Sequence, residues 1–248
     1  MVPPNKRNLT EKTPLTPAKS FRDLKSHNNS IKAWRFLYKR GFIEGFGHLS
    51  ARLPGSDQFL ITRHSLGPRA SADDLLVLDL DGRKIAGKGA VPGEFPIHLE
   101  IYRARPDVAS VVHYHGMYST AFTTSEYTLQ PIHLIGTIFD DGIPVYPDPR
   151  SIQDRQRGAE LAKALGSHRA ILMRAHGATI TGASLEEAVG GAFAFEQNAQ
   201  RAYISASIGK PRWLDQKTIA DCAAGRPSGP GRGPFHRIWA MVESDAEE

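Results

Sequence analysis

Cysteine is nearly absent from this chain. Cys222 stands alone, so no internal disulfide can form, and a reducing compartment fits. Long apolar runs are missing too: none approaches the roughly 20 residues needed to cross a bilayer. The first 20 residues are polar and proline-containing, without the apolar stretch of a secretory signal. A cytoplasmic protein with no membrane partner is the expectation. Regularly interleaved aromatics are lacking in the one strongly basic region, where Lys6, Arg7, Lys12, Lys19, Arg22, Lys25, Lys32, Arg35, Lys39 and Arg40 crowd together. Such charge can bind phosphates, but no nucleic-acid module is recognisable there. Residues 1–20 therefore read as a flexible basic arm, solvated or packed on a neighbouring subunit, with no nucleic-acid partner.

What is present suits one large α/β domain: 248 residues, 40% hydrophobic and 23% charged. From Phe21 to Lys39 the apolar residues Ile31, Trp34, Leu37 and Tyr38 recur at helical spacing, and Gly41 is a plausible stop. Gly45-Phe46-Gly47-His48-Leu49-Ser50-Ala51-Arg52 is a glycine-punctuated turn entering a strand. There His48 and Ser50 are either ligand-facing groups or plain turn residues. Phe59–Thr62 and Leu75–Leu80 are strand-like, and Asp81-Gly82 is a hairpin signal that implies antiparallel pairing. Between them, Arg63, His64 and Arg69 share a loop that could hold a carboxylate or phosphate, or could simply be basic surface.

The run Val108 to His115 carries the densest chemistry. Side chains alternate along a strand, so His113 and His115 point to one side and Tyr114 to the other. A lone His-x-His is more often an ordinary pair of half-buried histidines. Here, however, Ala170–Met173 forms a second apolar strand that leads into His176-Gly177, which puts a third histidine at a strand end. Three imidazoles of this kind suit a divalent metal with open positions. Glu94 lies just before a helix expected from Pro96 to about Arg103, where the helix dipole favours an ionised carboxylate. It can be a further ligand, a proton carrier, or both. His98, inside that helix, reads as structural. An amphipathic helix is expected from Ser151 and Asp154 to Gly166, and a long one from the Ser184 capping box to about Ser207. Gly225–Pro234 reads as a linker before a last short helix at Phe235–Val242.

Taken in order, the Gly45–Arg52 turn, the Glu94 turn, Ile101–Val108, Val112-His113-Tyr114-His115 and His176-Gly177 resemble the class II aldolase/adducin superfamily over roughly residues 25 to 210. The resemblance implies an α/β fold, a three-layer α/β/α sandwich around a central, mainly antiparallel sheet. A catalytic domain over 21–212 would be followed by the linker and short helix of 213–248. It also implies a homotetramer with sites between subunits, one divalent ion per subunit (Zn, Mn, Fe or Co) on His113, His115 and His176, and Glu94 as acid/base or displaceable ligand.

Sugar-phosphate aldolases of this group carry Gly-Asn, a Thr-Pro-Ser-Gly loop and a Ser-Ser pair to cradle phosphate. Here Gly47-His48, Thr62-Arg63-His64-Ser65 and Pro92-Gly93 stand instead, and Leu134 replaces a proton-transferring tyrosine. This pattern looks more like the branch that decarboxylates hydroxylated aromatic or pyridine dicarboxylates. The leading expectation is thus a metal-dependent lyase that decarboxylates a dihydroxyphthalate-like small-molecule carboxylate. His48, Ser50, Arg63 and His64 would bind the substrate and Glu94 would manage the proton. The alternative is a metal-dependent aldolase acting on a hydroxy-ketone or sugar phosphate. A non-catalytic, adducin-like scaffold ranks below both, since members of that type lose the histidines kept here.

Overall fold

The computed structural model describes residues 24–227 and 232–246; the basic arm of residues 1–20 and part of the glycine- and proline-rich linker lie outside them. The chain begins with helix α1 (Leu24–Lys39), followed by strands β1 (His48–Arg52), β2 (Gln58–Thr62), β3 (Leu75–Asp79) and β4 (Lys84–Ala86). Helix α2 (Phe95–Ala104), strand β5 (Ser110–Tyr114), the short helix α3 (Met117–Ala121) and strand β6 (Val145–Tyr146) come next. Helix α4 (Arg155–Leu165), strands β7 (Ala170–Met173) and β8 (Gly177–Gly182) and the long helix α5 (Leu185–Ile208) complete the body. Helices α6 (Gln216–Ala224) and α7 (Pro234–Asp245) follow.

The eight strands form one sheet in the order β4-β3-β2-β1-β5-β8-β7-β6. Every pairing is antiparallel except β6 with β7. Period-two alternation divides the strand residues between two cores. Leu49, Leu60, Val77, Val112, Tyr114, Leu172 and Ile180 face α1, α5 and α7. Phe59, Ile61, Leu76, Val111, Ile171 and Met173 face α2 and α4. The chain is therefore a three-layer α/β/α sandwich around a mainly antiparallel sheet. β5 sits near the middle of the sheet with every residue buried, so whatever it carries is held on both sides.

The elements expected from periodicity form within a few residues of their expected bounds, and their ends have identifiable causes. Asp154 and Ser184 cap α4 and α5 by accepting from the backbone N–H groups of Arg157 and Glu187. Two elements depart from the sequence reading. Strand β8 goes unread in the sequence because it begins and ends in glycine and follows β7 after a three-residue turn. Beyond residue 212, α6 precedes the linker, and α7 docks on the body: Ile238, Trp239 and Val242 are buried within the α1/α5 core. Among the described residues, no helix is long and apolar enough to cross a membrane.

Candidate metal centre and its two clefts

The site grows out of the register of β5 with its neighbours. On β1, His48 lies directly opposite His113, and on β8, Thr179 lies opposite His113 from the other side. Leu49 and Val112 belong to the α1/α5 core, so His48, Ser50 and His113 share the α2/α4 side of the sheet. His115 follows β5 by one residue. The tight β7–β8 turn delivers His176, with Ala175 in the left-handed region at φ 51°. Gly177 is required next: a Cβ there would stand 2.4 Å from the Tyr114 carbonyl oxygen and 2.8 Å from the His115 ring. Gly47, at φ +89°, lets the chain cross the end of β5, where a Cβ would lie 2.7 Å from the His113 carbonyl oxygen.

Glu94, His113, His115 and His176 each bring one donor atom into a cluster no wider than 4.8 Å. His113 Nε2 and His115 Nε2 are 3.2 Å apart, and Glu94 Oε2 lies 3.7 Å from His113 Nε2 and 3.3 Å from His176 Nε2. Ligand atoms at about 2.0–2.1 Å around a tetrahedral ion are separated by about 3.3 Å. The cluster therefore has the dimensions and the donor chemistry for one divalent metal. Its outer contacts orient it. Thr179 Oγ1 donates to Met173 Sδ, leaving its lone pair for His113 Nδ1–H at 3.2 Å. That contact leaves the unprotonated Nε2 of His113 facing the cluster. Ile152 N–H donates to Glu94 Oε1 at 2.7 Å, which leaves Oε2 for the histidines. Burial pushes the Glu94 carboxyl up, whereas hydrogen bonds and charge from His113 and His176, when those rings are protonated, pull it below the usual carboxylate range. Burial, then the neighbouring His113 and His176, push His115 down to about 4.

The remaining predicted residues separate. His48 and His64 line a cavity of 220 Å³ together with Glu94, His115, Ser65, Ser151 and others. Gly47-His48, His64-Ser65 and Pro92-Gly93, the positions where the aldolase phosphate cradle is altered, all border this cavity. Ser50 is fully buried behind it, bonded to His98 Nδ1 at 2.6 Å and to Tyr102 Oη at 2.7 Å. Arg63 is not among the lining residues. Its Nε donates to Asp74 Oδ1 at 2.7 Å, and its Nη1 donates to the carbonyls of His64 and Ser65. Leu134 is 65% exposed.

On the opposite side of His115, a wider cleft of 540 Å³ is bordered by His176, Arg40, Glu44, Met117 and Glu196. Sequence reading does not propose Ser151, Tyr102 or Glu196 as site residues; Ser151 reads only as part of a helix start. For Tyr102 a signal was available: His98 and Tyr102 lie four residues apart on a helix that otherwise turns an apolar face to the sheet.

Solved structures share this fold. The chain superposes with a TM-score of 0.81 on an aldolase II superfamily protein from Pseudomonas syringae, at 23% identity and covering 94% of each chain. An L-fuculose 1-phosphate aldolase from Glaciozyma antarctica gives 0.79 at 21% identity, covering 99% of this chain and 95% of that one. The family described as Class II Aldolase and Adducin N-terminal domain matches residues 28–203, and the chain belongs to it. A 3,4-dihydroxyphthalate decarboxylase from Arthrobacter keyseri is 34% identical over 174 residues, 63% of this chain and 69% of that protein. One from Rhodococcus jostii is 30% identical over 193 residues, 72% and 79% respectively. An L-fuculose phosphate aldolase from Methanococcus vannielii is 34% identical over 100 residues, 40% of this chain and 54% of that protein. Decarboxylases and aldolases are both carbon–carbon lyases, and these similarities support a lyase.

Proposed function

We propose that this protein is a metal-dependent decarboxylase of a hydroxylated aromatic carboxylate resembling a dihydroxyphthalate. The observation that carries the reading is the lining of the 220 Å³ cavity. The altered cradle positions present imidazoles and a serine hydroxyl beside Glu94 and His115, and among the described residues no lysine or arginine borders the cavity. The hydroxyl and amide groups that cradle phosphate in sugar-phosphate aldolases are replaced here by imidazoles, which can hydrogen-bond a carboxylate edge and pack against a flat ring. The similarity to dihydroxyphthalate decarboxylases supports the same substrate class.

His113, His115 and His176 would hold the ion, with Glu94 beside it. A divalent ion there supplies Lewis acidity toward the phenolic and carboxylate oxygens of the substrate. The chain's own residues do the rest. Glu94 Oε2 accepts the phenolic proton and returns it to the ring carbon that bears the departing carboxylate. The C–C bonding pair becomes the new C–H bond and CO2 leaves, so protons and electrons balance. His64, with Ser65, holds the second carboxylate. Arg63 braces that loop through Asp74 and the two carbonyls and does not touch the ligand itself.

Phe46 and Met117, 72% and 75% exposed, border the small and the wide cleft respectively. These bare apolar side chains beside the site support an assembly, proposed as a tetramer, whose active sites lie between subunits. The deciding experiment incubates metal-loaded protein with 3,4-dihydroxyphthalate and with fuculose 1-phosphate, scoring CO2 against released aldehyde. CO2 from the aromatic acid supports the reading; aldehyde alone overturns it in favour of an aldolase. A protein that holds no metal and turns over neither compound would be a scaffold.

A further inference from the structure

Two histidines that face each other across neighbouring strands, His48 and His113, sit in opposite hydrogen-bonding settings. Their rings stack with centroids 5.2 Å apart. His113 gives its Nδ1 proton to Thr179 and turns a bare Nε2 to the cluster. His48 instead uses Nδ1 inward, 3.0 Å from His98 Nε2. His98 continues through its Nδ1 to Ser50 Oγ at 2.6 Å, and Ser50 meets Tyr102 Oη at 2.7 Å. All four groups are buried or nearly so: Ser50 and His98 are 0% exposed, Tyr102 1% and His48 7%.

A chain of this kind has only two self-consistent proton arrangements, and its inner end selects between them. If the protons ran outward to inward, the Tyr102 hydroxyl would need an acceptor beyond Ser50. Among the described residues no acceptor other than Ser50 meets that oxygen: the Val111 backbone N–H beside it is a donor, and the Arg52 guanidinium, which lies over the ring, has nothing to accept with. A buried hydroxyl without an acceptor costs about 1–3 kcal/mol. Tyr102 therefore donates to Ser50, Ser50 donates to His98 Nδ1, and His98 Nε2–H donates to His48 Nδ1. The last proton of the chain is on His48 Nε2, the remaining polar atom of a ring that lines the small cavity.

We infer that Tyr102, Ser50 and His98 are positioning residues that lock His48 in its Nε2–H form, making His48 a fixed hydrogen-bond donor to an anionic substrate oxygen beside the metal cluster. The anionic oxygen is a carboxylate or phenolate, a clause that rests on the decarboxylase reading; the tautomer does not. A donor aimed in advance at developing charge loses nothing to reorganisation during the reaction. A second metal ligand at this position would need the opposite tautomer, so the same chain keeps His48 out of the ion's coordination.

Neutron diffraction from deuterium-exchanged crystals of the zinc-loaded protein tests this directly. Deuterium is expected on His48 Nε2 and His98 Nε2, with the Ser50 deuteron toward His98. Deuterium on His48 Nδ1 would overturn the inference whatever the enzyme's substrate proves to be. Kinetics with 3,4-dihydroxyphthalate give the functional arm. His48→Asn, whose amide reaches only the Nδ1 position, should lose roughly 10- to 100-fold in kcat/KM. His48→Gln, whose amide nitrogen reaches toward Nε2, should recover most of that loss at unchanged zinc content. Equal losses in the two variants would count against a donor role. If no carboxylate is decarboxylated while the deuterium map is as expected, the substrate reading fails and the tautomer lock stands.

Discussion

The two sides of the histidine cluster are built to different standards. Toward β1 and α2, every buried polar atom of Tyr102, Ser50 and His98 is paired within the chain, and the series ends at His48. Toward the wide cleft, His176 Nδ1 and Glu196 Oε2 are buried without a hydrogen-bond partner among the described residues. Glu196 uses its other oxygen to accept from the Tyr118 and Ser119 backbone N–H groups at the start of α3. One wall is thus complete and rigid. The other is held mainly by shape, with Gly116 so close to Glu196 that a Cβ there would lie 2.3 Å from its oxygen. In a family whose members differ in reaction, the finished wall is suited to orienting one donor, and the unfinished one is free to adapt.

Substitutions can break this contrast in graded steps. The largest effect should come from His113→Ala. It removes a ligand from a strand buried on both faces, so metal content by mass spectrometry should fall with activity, by at least 1,000-fold on the order expected for loss of a metal catalyst. Chelation of the wild-type protein should have the same effect, reversed by added Mn or Zn. Glu94→Gln comes next: metal retained, kcat reduced about 10²–10⁴-fold, and less solvent deuterium incorporated at the ring carbon. Tyr102→Phe, on the paired wall, should cost about tenfold in kcat/KM with metal content unchanged, because it removes the donor that orients the series.

Glu196→Gln probes the other wall and should barely alter catalysis. Burial raises the Glu196 carboxyl above its ordinary value despite hydrogen bonds from Ser119 and Tyr118 that lower it. The folded state therefore binds the proton more tightly than the unfolded state. Wild-type stability should fall as pH rises from the ordinary carboxylate range through the raised value, and the Gln variant should lack that fall. Melting temperatures at pH 5 and pH 8 check it, with a difference of a few degrees. Smallest of all, Arg63→Ala should raise KM a few-fold through loss of the loop brace, a change that assays at low substrate would register.

The sequence by itself determined the elements with strong local periodicity and the placement of His113 and His115 on one side of β5, because strand alternation is a property of the backbone alone. It placed glycines at 47 and 177, but only the packed strands show that a Cβ at either position would meet the end of β5. The clustering of Glu94, His113, His115 and His176 is an expectation of the family resemblance, and the structure brings the four together with dimensions that could hold an ion. Tertiary structure decided the rest. Whether β8 forms depends on pairing with β5 and β7, which no local pattern in a glycine-bounded segment reveals. Whether Arg63 faces a ligand depends on Asp74, eleven residues away. Ser50 and His98 meet only because β1 and α2 share one side of the sheet, and that meeting settles which nitrogen of His48 carries a proton. Local preference can place a histidine on a face; only its packed neighbours decide whether it accepts a metal or donates a proton.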